Sequence, residues 1–195
     1  LGDGVFCLEF HSKMNAVTGD ILAMTHKAIK RAETEGVGLV IGNQGANFSV
    51  GANLMLLAVA LAEGAYEDIN MMVRVFQKAT MAIKLAKVPV VAAPFNMTLG
   101  GASEYCLHAA AINAYAETYM GMVEVGVGLL PAGGGTKEMC LRASELATRH
   151  DTDVTPFIFK YFKQIGMAKF SMGAAELFDM GYMRTGDSVS MDMDR

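Results

Sequence analysis

The spacing of apolar residues changes several times along the chain, and each change predicts an element. Val5 to Phe10 reads as a strand that ends at His11-Ser12. From Thr18, the recurrence of Ile21, Met24, Ala28, Ile29 and Ala32 predicts a helix through about Glu33, with Thr18 as its N-cap and Gly36 ending it. Gly38 to Gly42 predicts a short buried strand, and a glycine-rich loop follows from Gly45 to Leu54. A second amphipathic helix, about Glu67 to Lys84, places Ile69, Val73, Phe76, Thr80 and Ile83 on one face. Val88 to Ala93 is a further buried strand, Gly100-Gly101 opens a helix, Ala111 to Tyr115 is a strand, and another helix starts at Gly133 and runs to about Arg142. Beyond Arg149 the pattern turns helical, with Phe157 to Ile165 and then Ala174 to Met180, the latter with Ser171 as N-cap and Gly181 at C′.

This strand–loop–helix alternation predicts an α/β fold with parallel pairing. A chain of 195 residues suffices for one domain with a sizeable core, divided here into a core over 1–145 and a helical region over 146–195. It opens on Leu-Gly-Asp-Gly without an initiator Met, which reads as a fragment of a longer protein. Hydrophobic residues are 52% and charged residues 18%, so some apolar surface is expected in a ligand pocket or an interface. The net charge of −4, without a basic block, argues against a nucleic-acid partner. Cys7, Cys106 and Cys140 are too few and too far apart for a disulfide framework, which suits a reducing, cytoplasmic setting. The histidines lack metal-ligand spacing, so no metal is expected. No apolar run is long enough to span a bilayer, Leu54 to Ala62 included, and no membrane partner is expected.

The residues with chemistry to offer are Glu104, closing the run Asn96 to Glu104, and Glu124, just before Gly126 to Thr136. Two carboxylates from separate segments suit addition of water to a double bond, one taking a proton and the other giving one. Gly51 and Gly100 permit tight turns, and Gly101 lies at a helix start that favours negative charge. Gly133 to Lys137 lacks the order of a phosphate loop and reads as a turn into a helix. Met55, Met97 and Met122 fall near these segments and could make an adaptable pocket. His108 and His150 have no partner that the sequence identifies and read as core or surface residues.

At three places the chain resembles the crotonase (enoyl-CoA hydratase/isomerase) superfamily. Phe48 to Leu54 is similar to the family's F-x-x-G-A-D-L loop, Lys87 to Glu104 to its K-P-V-I-A-A…L-G-G-G-x-E segment, and Glu124 to Thr136 to its E-x-x-x-G-x-x-P-x-x-G-G-T segment. Asn53 stands where the family usually has Asp, and Ala102 where it has a third Gly. The wording of Gly121 to Met139 looks most like the hydratase part of bacterial multifunctional 3-hydroxyacyl-CoA dehydrogenases. The resemblance implies a crotonase-like ββα superhelix with C-terminal helices, partly truncated. It implies an oxyanion hole from the amides of Ala52 and Gly101, with Glu104 activating water and Glu124 protonating C2. It also implies acyl-CoA contacts from Lys13, Met14, Asn15, Ala16, Gly51, Asn53, Leu54 and Gly100. The implied reaction is hydration of trans-2-enoyl-CoA in β-oxidation, with no cofactor beyond the coenzyme A of the substrate. A Δ3-Δ2-enoyl-CoA isomerase and a non-catalytic acyl-CoA-binding domain are the alternatives. A homo-oligomer, or docking onto other domains of one longer chain, is the expected assembly.

Overall fold

Short apolar runs bounded by glycine or proline become strands, and the longer periodic runs become helices. The computed structural model describes residues 1–192. In chain order the elements are β1 (Val5–Leu8), α1 (Gly19–Glu35), β2 (Gly38–Ile41), α2 (Leu54–Ala62), α3 (Tyr66–Lys84), β3 (Val90–Ala92), β4 (Asn96–Leu99), α4 (Gly101–His108), β5 (Ala111–Tyr115), β6 (Thr118–Gly121), α5 (Gly135–Arg149), α6 (Thr155–Gly166), α7 (Glu176–Asp179) and β7 (Ser188–Ser190). Two 3-10 turns, Lys13–Asn15 and Glu124–Val127, sit in loops.

Five strands form a parallel sheet in the order β1-β2-β3-β5-β7, with Val5 opposite Gly38, Leu39 opposite Val90, Val91 opposite Ala111 and Asn113 opposite Ser188. A second, two-stranded parallel sheet pairs β4 with β6, Asn96 opposite Thr118 through Leu99 opposite Gly121. Parallel strands need crossovers, and the intervening helices supply them while covering the sheet. Strand β2 is accordingly apolar on both faces, and Leu39 and Ile41 are fully buried. Phe10, Phe48, Phe95, Phe76 and Tyr105 meet as a chain of aromatic contacts, Phe10–Tyr105 and Phe76–Tyr105 edge-on at 5.9 and 5.6 Å. All eight residues of α4 are buried, so this short helix is the axle on which the surrounding loops are hung.

Several expectations change in the structure. The apolar run Leu54–Ala62 is helix α2, which sequence periodicity did not reveal because it is apolar on every side. Strands β4, β6 and β7 were not anticipated, because their residues (NMTL, TYMG, SVS) mix polar and apolar side chains without clean alternation. Thr18 precedes α1 as expected, but its side chain makes no capping bond. Gly36 ends α1 by space rather than by a left-handed turn: its backbone is extended, and a Cβ there would lie 2.5 Å from the Gly4 carbonyl and 2.7 Å from the Phe6 ring. Ser171 does not cap α7. Its hydroxyl donates to the Thr118 carbonyl at 2.9 Å and accepts from the Met120 amide at 3.0 Å, stitching the segment after α6 to β6. Gly181 does follow α7 with φ +74, as its C′ reading required. Among the described residues, no helix is long and apolar enough to cross a membrane.

Candidate active site

Two glycine turns bring separate loops to one place. Gly51 has φ +84, and a Cβ there would lie 2.6 Å from the Leu99 carbonyl and 2.8 Å from the Gly101 amide. Gly100 has φ +57, and a Cβ there would lie 3.2 Å from Glu124 Oε1. Both positions therefore need glycine, for backbone angle and for room. The result places residues 51–52 against residues 100–101, with the Ala52 amide 3.4 Å from the position of a Gly101 Cβ.

Neighbouring amides in this joint are occupied. Gly51 N–H donates to Ser49 Oγ at 3.1 Å, and Gly100 N–H to the Gly121 carbonyl at 2.8 Å. Among the described residues, the amides of Ala52 and Gly101 donate to no protein group. Gly101 is the first residue of α4, so its amide has no partner within the helix and sits at the positive end of the dipole. Two unspent donors side by side are suited to a developing negative charge. Asn53 performs the local task an Asp would, its Oδ1 accepting from the Met55 amide at 3.1 Å to cap α2.

Glu104 projects from the buried axle helix and is 3% exposed. Its Oε1 accepts from the Gly135 amide at 2.8 Å. Phe76 of α3 walls the other side: ring atom and Glu104 Oε2 both come within 2.5 Å of the point a Gly133 Cβ would occupy. Burial pushes the Glu104 carboxyl up to about 7, opposed by the Gly135 and Gly133 amides and reinforced by the charge of Glu124. Glu124 begins the 3-10 turn after β6, with Oε1 facing Gly100 and Oε2 buried without a hydrogen-bond partner among the described residues. Burial raises its carboxyl as well. An unpaired buried carboxylate oxygen costs free energy unless it is protonated or a ligand meets it.

The remaining sequence candidates fall into two groups. Lys13 and Met14 are exposed on a 3-10 turn that Asn15 ties down, its Nδ2 donating to the Gln44 and Asn47 carbonyls at 2.9 and 3.1 Å. Val17, after Ala16, donates to the Gly51 carbonyl at 2.7 Å, which sets this turn beside the glycine joint. Leu54 and Met55 are exposed at the start of α2, and Met97 is exposed on β4. Met122 departs from expectation. It is fully buried, with its sulfur packed against Gly135, so it supports the Glu104 pocket from beneath rather than lining an open surface.

Sequence reasoning missed two contributors. Phe76 read as one of five residues on a helix face, and nothing in the spacing marked it as the wall of a carboxylate pocket. His108 read as a residue without partners, yet its Nδ1 lies 2.6 Å from the Glu104 carbonyl and its Nε2 lies 3.0 Å from Lys137 Nζ. Its position four residues after Glu104 on one helix was the available signal.

No family model matches the chain. It is 46% identical over 194 residues, all of its length, to the Bacillus subtilis (strain 168) "Probable 3-hydroxyacyl-CoA dehydrogenase", of which it covers 24%. It is 36% identical over 104 residues to the Shewanella loihica fatty acid oxidation complex subunit alpha, covering 52% of this chain and 14% of that one. The chain thus spans about a quarter or less of the length of these relatives. Among solved structures, an enoyl-CoA hydratase from Polaromonas sp. JS666 superposes with a TM-score of 0.78 at 22% identity, over 98% of this chain and 70% of that one. The chain thus has the crotonase fold seen in enoyl-CoA hydratases, and over its whole length it is similar to a segment of the Bacillus dehydrogenase.

Proposed function

We propose that the chain hydrates trans-2-enoyl-CoA to 3-hydroxyacyl-CoA, as one part of a longer fatty-acid β-oxidation enzyme in the cytoplasm. The observation that carries this reading is the pair of carboxylates, buried Glu104 and half-buried Glu124, together with the two adjacent unspent amides of Ala52 and Gly101. The thioester oxygen of the substrate would rest on the amides of Ala52 and Gly101. Water held by Glu104 adds its oxygen to C3 and leaves a proton on Glu104. The electron pair of the double bond moves through C2 to the thioester oxygen, where the two amides stabilise it by about 3 kcal/mol each. Protonated Glu124 gives its proton to C2, the carbonyl re-forms, and proton transfer between the glutamates or with solvent resets them. A base near 7 is half ionised at neutral pH, so Glu104 can take a proton from water there.

Lys13, Met14, Asn15 and Ala16, with Asn53 and Leu54, would meet the coenzyme A portion along the approach to Gly51 and Gly100. No further cofactor enters the scheme. Docking onto other parts of the longer chain, or a homo-oligomer, would cover exposed apolar side chains such as Leu56, Val59, Phe159 and Phe162. The test follows loss of the conjugated enoyl-thioester absorbance with crotonyl-CoA, comparing the wild type with Glu104→Gln and Glu124→Gln. Turnover in the wild type with a collapse in both variants is the expected result. Full activity in Glu104→Gln would rule out the two-carboxylate scheme and favour single-carboxylate isomerisation.

A further inference from the structure

At the C-terminal end of α4, the helix that Gly101 begins, lies a polar cluster that this mechanism does not use. His108 Nδ1 is 2.6 Å from the Glu104 carbonyl. A carbonyl only accepts, so Nδ1 carries the proton and Nε2 is a bare acceptor. Lys137 Nζ fills that acceptor from 3.0 Å and reaches Glu138 Oε1 at 2.9 Å, while Lys84 closes on Glu138 at 2.7 Å. The imidazole itself is wholly buried.

The other edge of the ring lies under a loop. Gly134 has φ +110, and a Cβ there would come 2.9 Å from His108 Cε1 and Nε2. The imidazole therefore fills the space between the backbone of Glu104 and the Gly133–Gly135 loop that starts α5. That same loop sends the Gly135 amide to Glu104 Oε1 at 2.8 Å. From α3, Gln77 Nε2 donates to the Ala132 carbonyl at 2.8 Å and Thr80 Oγ1 to the Gly133 carbonyl at 2.7 Å, so the loop is held on that side too. With α3 fixing one side, the thickness and hydrogen bonds of His108 decide where the Gly135 amide stands relative to Glu104.

We propose that His108, held in place by Lys137 and Glu138, is a positioning residue that sets the meeting of the Glu104 carboxylate with the Gly135 amide. Loosening it lengthens that bond, and a carboxylate that loses a donor to its charged form ionises less readily. The charged and titratable groups around this pair are Glu124 from the 3-10 turn, which faces Glu104, and Lys137 and Glu138 from α5 with Lys84 from α3, which face His108. The consequence for rate rests on the proposed role of Glu104 as base; the positional claim does not.

The test uses the full chain and three variants. His108→Gln keeps an acceptor for Lys137 but loses the donor to the Glu104 carbonyl. His108→Asn keeps that donor and loses the acceptor. Lys137→Met cuts the outer link at a partly exposed site and leaves the core intact should the histidine variants fail to fold. The Glu104 carboxyl is titrated by carbon-13 NMR, with Glu104→Gln identifying its signal, and the pH profile of crotonyl-CoA hydration is recorded alongside. The expected result is a Glu104 midpoint moved upward by about one unit in His108→Gln, with smaller upward shifts in His108→Asn and Lys137→Met. The acid limb of the profile should move with it. A purely structural role would reduce the amount of folded protein and leave the midpoint where it was. An unmoved midpoint in folded His108→Gln or Lys137→Met overturns the proposal. A moved midpoint without hydration in the wild type upholds it and removes the hydratase reading instead.

Discussion

Glu104 of α4 and Glu138 of α5 are almost equally hidden, 3% and 2% exposed, yet the protein drives them in opposite directions. Glu138 accepts from Lys84 at 2.7 Å and Lys137 at 2.9 Å, and these cations hold its carboxyl below the usual range despite burial. Glu104 has backbone amides for partners, the Phe76 ring for a wall and another carboxylate nearby, and it is pushed up to about 7. Burial alone thus says little about a carboxylate. The charge of its neighbours decides whether it is a fixed ion or a group that trades protons near neutrality.

The comparison breaks most sharply at turnover. Glu104→Gln is expected to lower crotonyl-CoA hydration by about 10²–10⁴-fold, measured as loss of enoyl absorbance, whereas Glu138→Gln retains far more of it. Next is the pH dependence of stability, where the two groups have opposite signs. The folded Glu104 carboxyl titrates near 7 against an ordinary 4.5. Its favourable contribution is complete below pH 4.5 and is lost as pH rises to 7. Urea unfolding should therefore show Glu104→Gln gaining on the wild type by about 3 kcal/mol across that window. Comparing the two proteins cancels His108, whose lowered value makes its own contribution fade as pH falls from 6.5 toward 4. Glu138 behaves in the opposite way, contributing above pH 4.5 and losing that contribution as pH falls through its depressed value.

Two smaller effects sharpen the contrast. A Gly135→Ala side chain would collide with the Met122 sulfur and come 3.0 Å from Glu104 Cγ. It should lower stability by about 1–3 kcal/mol and weaken hydration together, read by urea midpoint and turnover in one preparation. Glu138→Gln leaves two partly exposed lysines that water can still reach, so thermal and urea midpoints should report a loss of only about 1–2 kcal/mol at neutral pH.

The sequence showed much of this frame in advance. Gly51, Gly100, Glu104 and Glu124 could be marked because tight turns need glycine and paired acids stand out against an apolar background. The alternation of periods pointed to the parallel sheet, since β1, β2 and β3 are apolar runs and β5 is interrupted by Asn113 alone. Other features were hidden for definite reasons. Helix α2 has no polar face to set a period. Strands β4 and β6 are specified by pairing with each other, Asn96 with Thr118 across α4 and β5, rather than by their own alternation. Phe76 and His108 could not be placed because their roles depend on which loop packs against which helix.

By itself, then, the sequence determined the main helices, the strands β1, β2, β3 and β5 and the turns that glycine makes, and it marked Glu104 and Glu124 as candidates, because these follow from local sterics and hydrophobic spacing. Only the tertiary structure decided that Glu104 is poised and Glu138 is locked. That difference arises from contacts between α3, α4 and α5, which bring Lys84 to Glu138 across 54 residues of chain and the Phe76 ring to Glu104. A pKa is set by the charges and dielectric within a few ångströms in space, and the linear sequence does not carry that neighbourhood.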